Sequence, residues 1–235
     1  MRSLVLLALL TAGLTDASQG APKLKVCMLS GSEEYESDAS LSAFRSYLEA
    51  NYPAQCVLLK ARGVDDLPGL EALDDCDVAL FFTRRMTIQG EQLERVKKYC
   101  AAGKPIVALR TASHGFQNWL AFDKEVLGGN YHNHHAEGPV CRVTVVDAGH
   151  AVLKGVKPFT SVGSLYKNTP LAADTHLLLT GTIPGHTEPL AWTRQHRGGR
   201  MFYTSLGHPR DFEDENFVRL VVNALYWTAR RDVGL

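Results

Sequence analysis

Net charge of either sign is missing from this 235-residue sequence: 25 Lys and Arg balance 25 Asp and Glu. No basic tract or aromatic-interleaved basic patch occurs, so the electrostatic footprint of a nucleic-acid binder is absent. There is no CxxC pair, and the five cysteines (Cys27, Cys56, Cys76, Cys100 and Cys141) lie far apart. An odd count leaves at least one thiol free even where disulfides can form. Cys27, Cys56 and Cys141 sit inside apolar, strand-like runs, where cysteine serves as a small hydrophobe. Five mostly buried thiols are expected, with one disulfide as the other reading. Internal repeats, linkers and low-complexity tracts are lacking. So is any apolar run of the roughly 20 residues needed to cross a bilayer core.

What is present begins with a leader. Arg2 precedes an apolar run from Leu4 to Leu14, followed by the small residues Ala17, Ser18, Gly20 and Ala21. That is the layout of a secretory signal peptide over residues 1–21, and it predicts a secreted or periplasmic protein with no stable membrane insertion after signal removal. No cysteine directly follows the apolar run, which argues against a lipid anchor. Residues 22–235 remain, enough for one well-buried core and thus a single domain.

The first half of the chain alternates strand and helix. Apolar runs at Leu24–Leu29, Gln55–Leu59, Asp77–Phe82 and Pro105–Leu109 read as strands, the third apolar enough to be buried on both faces. Ser37 or Asp38 is expected to cap a helix through Tyr52, and Thr87 a second helix that stops at Gly103. Further strands are predicted at Val140–Val146, His176–Thr182, Pro189–Arg194 and Arg200–Ser205, with a closing helix from Asp211 to Ala229. Repeated strand–helix–strand units predict an α/β, doubly wound, mostly parallel sheet with right-handed crossovers.

In such a sheet ligands bind beyond the carboxyl ends of the strands. The segments there are polar: Ser30–Ser37, Thr83-Arg84-Arg85, Arg110–His114 and Ser205–Asp211. The densest is Gly128-Gly129-Asn130-Tyr131-His132-Asn133-His134-His135, with three imidazoles in four positions after a glycine pair. Three readings of it stand. His132, His134 and His135 could hold a divalent metal such as zinc around an open position. They could instead serve a sugar or organic-acid site as hydrogen-bonding and acid–base groups. The third reading is a polar surface loop. Glu188 is a candidate partner for a site histidine.

Taken together, Gly103–His114, Phe122-Asp123, Leu127–His132, Gly163-Ser164-Leu165-Tyr166-Lys167, Glu188–Thr193 and Phe202–Pro209 resemble the ThuA-like (trehalose utilisation) family over the whole mature chain. The resemblance implies a flavodoxin-like fold of the class I glutamine amidotransferase-like superfamily. It also marks a departure. Where amidotransferases carry a nucleophilic cysteine after a strand, Arg110 stands here, and arginine stays protonated. The resemblance to their catalytic His-Pro-Glu motif stops at His208-Pro209, because Arg210 replaces the glutamate. Glutamine hydrolysis is therefore excluded, and a carbohydrate or oxidised-sugar derivative is the implied small-molecule ligand, handled by hydrolysis or isomerisation. Arg110, His132, His134 and His208 are the expected catalytic groups, with Arg110 a fixed cation for a carbonyl or oxyanion. Tyr35, Arg85, Ser113, His114, Tyr131, Tyr166, Glu188 and Asp211 are the expected binding residues. A non-enzymatic sugar-binding module of the cell envelope and a divalent-metal hydrolase are the alternatives.

Overall fold

A computed structural model describes residues 22–233, so the predicted leader lies outside the described residues. Nine strands form one sheet, in the order β2-β1-β3-β4-β9-β8-β7-β5-β6. They are β1 (Leu24–Gly31), β2 (Ala54–Lys60), β3 (Val78–Thr83), β4 (Ile106–Leu109), β5 (Cys141–Val145), β6 (Phe159–Ser161), β7 (His176–Ile183), β8 (His186–His196) and β9 (Gly199–Thr204). The helices are α1 (Ser37–Asn51), α2 (Gly90–Ala101) and α3 (Glu215–Thr228).

Period-two patterning in the central strands supplies a core on each face. Val26 and Met28 of β1, Leu80 and Phe82 of β3 and Phe202 of β9 point to the face covered by α1 and α3. Cys27, Leu29, Ala79, Phe81 and Tyr203 point to the other, covered by α2 and by the aromatic group Phe116 and Phe122. All five cysteines are free thiols, four of them buried, as the strand positions of three of them suggest. Among the described residues no helix is long and apolar enough to cross a membrane.

The sheet is not mostly parallel. Parallel pairing runs from β2 through β1, β3 and β4 to β9, whereas β9–β8, β8–β7, β7–β5 and β5–β6 are antiparallel. The reason lies in the turns. Arg197 and Gly198 (φ +53° and +85°) join β8 to β9, and Pro184-Gly185 (Gly185 φ +79°) join β7 to β8. Connections this short make hairpins, because a parallel crossover needs a dozen or more residues.

Helix boundaries shift for local reasons. α2 starts at Gly90 with Gln89 as its cap, so Thr87 lies outside it. Ser37 opens α1, but its hydroxyl is bonded to Ser30 Oγ and Ser32 N, and Glu36 takes the cap position in a left-handed conformation. The closing helix is split: a 3-10 turn spans Pro209–Glu213, and Asp214 then caps α3 by accepting from Asn216 N at 2.8 Å.

The β8–β9 hairpin packs backbone to backbone on the turn after α2. A Cβ on Gly199 would stand 2.0 Å from the Gly103 carbonyl oxygen. Neither segment has a flexible side chain to yield, so Gly199→Ala is expected to destabilise the protein by about 1–3 kcal/mol, the range for overpacking. Urea denaturation of the variant checks this.

Candidate functional site

β4 ends at Leu109, and Arg110 turns the chain sharply into a 3-10 turn, Arg110–His114, with φ +44°. A non-glycine residue in that region stores about 1–3 kcal/mol of strain, which the surroundings must hold. Tyr203 Oη donates to the Arg110 carbonyl at 2.8 Å. The guanidinium is 1% exposed. Its Nη1 donates to Ser205 O (2.9 Å), and its Nη2 to Tyr35 Oη (3.0 Å) and Ser164 Oγ (3.2 Å). It also lies 4.1 Å from the centre of the Tyr35 ring and 4.8 Å from that of Tyr166. Gly163 leaves the space for it, since a Cβ there would stand 2.7 Å from Nη1. Burial opposes the charge, but Tyr166, Tyr35 and Asp211 outweigh it, and the pKa is raised.

Imidazoles border this stack. His114 stacks on Tyr131 at 4.4 Å. Burial and the nearby Arg85, Arg84 and Arg110 charges push its pKa down to about 3, so it is neutral. His208 packs edge-on to Tyr35. Its Nδ1 accepts from Arg210 N at 3.2 Å, so in the neutral ring Nε2 carries the proton. Burial lowers its pKa, with Asp211 opposing. Asp211 itself accepts from the amides of Gly207 (2.8 Å) and His208 (2.9 Å), fixing the turn. His134 pairs through its backbone with Tyr166. Its Nδ1 faces the His135 carbonyl at 2.8 Å; that oxygen can only accept, which leaves Nε2 as the lone-pair nitrogen. The cluster thus carries one imidazole set to donate, His208, and one set to accept, His134.

A cavity of about 770 Å³ adjoins the cluster beyond the carboxyl ends of β1, β2 and β3. Glu33, Glu34, Glu36 and Asp38 line it with Ser30, Ser32 and Ser37, and Arg84 reaches across to pair with Glu34. The short turn Glu33–Tyr35 separates the two regions, with Glu33 and Glu34 on the cavity and Tyr35 on Arg110. Thr111 Oγ1 to Ser32 Oγ (3.0 Å) ties the walls together. The rim segment expected from the sequence, Ser30–Ser37, supplies Glu33, Glu34 and Glu36, whereas Asp38 was expected only as a helix cap.

The family model for ThuA, trehalose utilisation, matches residues 25–228. The chain belongs to the ThuA family. The fold is similar to that of a ThuA-like protein from Parabacteroides merdae (TM-score 0.71, 16% identity, covering 91% of this chain and 92% of that one). It is similar also to a ThuA-like protein from Bacteroides uniformis (0.67, 20%, 92% and 95%). A β-galactosidase from Rahnella sp. R3 carries a similar unit as part of a longer chain (0.61, 16%, 90% of this chain and 32% of that one). No curated protein matches the sequence.

In this ThuA chain, Tyr35, Arg110, Ser113, His114, Tyr131, His134, Tyr166, His208 and Asp211 gather as one cluster. The Arg85 amide donates to the His114 carbonyl (2.8 Å) while its side chain is exposed. Others stand apart. His132 is exposed, its Nδ1 against the Asn130 carbonyl at 2.7 Å. His135 points to Glu188 (3.2 Å) and stacks on His186 at 4.0 Å, so Glu188 does partner a histidine, but away from Arg110. The expected zinc set His132, His134 and His135 therefore does not form. Adjacent side chains on an extended segment point to opposite sides, and among the described residues no three His, Cys, Asp or Glu converge as a metal group. Arg110, expected as a fixed cation for ligand oxygens, has its fork engaged within the protein instead.

The neutral His114 makes stability depend on pH. Its folded pKa of about 3 lies below the ordinary 6.5, so the unfolded chain binds the extra proton and stability falls as pH drops below 6.5, by at most about 1.4 kcal/mol per unit. Asp123, raised to about 6 from 3.8, works in the opposite sense between those values. His114→Phe keeps a ring on Tyr131 and removes the first effect. Urea midpoints at pH 7, 6 and 5 should fall more steeply for the wild type than for the variant; parallel curves would contradict the assignment.

Proposed function

We propose that this chain is an exported ThuA protein that binds a neutral or keto-oxidised sugar and acts on it by hydrolysis or isomerisation, without glutamine amidotransferase activity. The leader sequence supports export, and membership of the trehalose utilisation family supports the sugar. A flavodoxin-like doubly wound core is supported by the β2-β1-β3-β4 order with helices on both faces. The observation that carries the reading is the serine- and carboxylate-lined cavity on one side of the Glu33–Tyr35 turn, with Tyr35 and the neutral His114 and His208 on the other. Its volume lies in the range of small-molecule sites, and serine hydroxyls beside carboxylates offer a polyol both donors and acceptors.

Charge decides the sugar class. Glu33, Glu34, Glu36 and Asp38 face Arg84 alone among the basic residues lining the cavity. A phosphorylated sugar would meet like charge there, whereas sugar hydroxyls can donate to carboxylates and accept from serines. At the cluster, His208 Nε2–H serves as the acid and His134 Nε2 as the base. Arg110 acts as a positioning residue that holds the Tyr35 phenol. No nucleophile occupies the elbow, which supports the exclusion of glutamine chemistry. The enclosure of Arg110 also favours a second reading, a binding module that captures the sugar without turnover.

Thermal-shift titration with trehalose, other neutral disaccharides, keto-sugars and sugar phosphates tests this. Stabilisation should grow with concentration for neutral or keto-sugars and be absent for phosphates. Preference for phosphates, or no response across the panel, would overturn it. His208→Ala and His134→Ala should each cut turnover of the stabilising sugar by about 100-fold or more with binding kept. Binding with no product in the wild type would select the second reading.

A further inference from the structure

Asp123 is a buried acid that the site described above does not use. It sits in a π-helical turn, Phe122–Leu127, and is 6% exposed. π-turns of this kind recur where a chain is re-aimed at functional sites. Asp123 holds the start of the histidine loop twice. Its backbone carbonyl accepts from Gly129 N at 3.2 Å, and its Oδ2 accepts from Tyr131 N at 2.7 Å. The approach is close enough to require glycine, since a Cβ on Gly129 would stand 2.5 Å from Asp123 Oδ1. Tyr131 in turn carries the ring stacked on His114, and His134 follows three residues on.

The surroundings are wrong for a carboxylate. Oδ1 is buried and has no hydrogen-bond partner among the described residues. The groups facing it are neutral: the Tyr131 amide, the Trp192 ring of β8, whose Nε1 donates to the Leu127 carbonyl, and the Tyr203 phenol of β9, whose proton goes to the Arg110 carbonyl. Along the turn, Lys124 and Glu125 are exposed, and Arg194 spends its contacts on their carbonyls and on Asp174. An ionised carboxyl here is desolvated with one oxygen unmatched, which costs far more than a neutral acid in the same place.

We propose that Asp123 is a positioning residue that clamps the Gly129–Tyr131 segment, and with it the His114–Tyr131 stack and His134, more firmly when its carboxyl is protonated than when it is ionised. Linkage sets the sign. Burial raises the carboxyl to about 6 in the clamped state, outweighing the Tyr131 amide that pulls it down, against 3.8 for an aspartate that release of the segment opens to water. The clamped state therefore binds the proton more tightly and is favoured as pH falls through 6. His114, depressed to about 3, does not titrate in that window. The clamp itself is a property of the chain alone. Only its consequence, a sugar-facing wall better ordered in mildly acidic surroundings, rests on the function proposed above.

Amide hydrogen exchange at Tyr131 in the ligand-free protein is the test, corrected for intrinsic exchange and referenced to β9 amides. Wild-type protection at Tyr131 should rise about tenfold from pH 7.5 to pH 5. Asp123→Asn, a neutral isostere, should be protected at both pH values with no such rise. Asp123→Ala should lose protection at Tyr131 at both, while β9 stays protected. Parallel pH behaviour of wild type and Asp123→Asn, or full Tyr131 protection in Asp123→Ala, would overturn the proposal. Because no sugar is present, either result stands apart from the outcome of the sugar panel, where a neutral sugar should bind the wild type more tightly at pH 5.5 than at 7.5 and Asp123→Asn equally at both.

Discussion

A buried arginine holds together the rim beyond the carboxyl ends of the parallel strands. Arg110 ties the β1–α1 turn through Tyr35, the segment before β7 through Ser164 and Tyr166, and the end of β9 through Ser205. Taking a charge out of water costs several kcal/mol unless its hydrogen bonds are met. Two hydroxyl partners on Nη2, a carbonyl on Nη1 and two phenol faces meet most of that cost, and among the described residues Nε alone goes without a partner. The same demand explains the open space at Gly163 and the φ of +128° at Gly207, whose absent Cβ would press on Arg110 at 3.3 Å.

Architecture follows from that demand and from the split character of the sheet. The parallel half delivers three turns, after β1, β3 and β4, to one edge, where the cavity and the Arg110 elbow lie side by side. The antiparallel half brings no crossover helices, so its long excursion between the π-turn and β7 is free to fold over the elbow. Tyr131, His134 and Tyr166 arrive that way. Cation, phenols and imidazoles then adjust one another. Burial and then the nearby arginines keep His114 neutral, and against the cost of burial the phenols and Asp211 keep Arg110 charged, beside a negatively charged cavity.

Much of this was legible in the residues. Apolar runs located eight of the nine strands to within a few positions, β6 having no predicted counterpart, and the polar segments at their carboxyl ends held six of the nine residues that cluster, with Tyr131 and His134 on the histidine loop and Tyr166 before β7. Pairing direction was less legible, because β7, β8 and β9 look like ordinary strands until the two-residue turns between them are seen as hairpins. His132 and His135 were misread for a different reason. Composition places imidazoles in one stretch, but a backbone carbonyl two residues back captures one ring and Glu188 of β8 captures the other.

By itself the sequence determined the α/β class, the family, the elbow at Arg110 and the absence of a nucleophile there, since these depend on local pattern and on the chemistry of single residues. Tertiary structure alone decided that Arg110 is enclosed, that His134 and His208 present opposite tautomers, that Asp123 clamps the histidine loop and that four carboxylates share a cavity. The burial and charge neighbours of Arg110 and Asp123 are set by segments far apart in the chain, and the tautomers and the shared cavity by how the folded backbone aims side chains only a few residues apart.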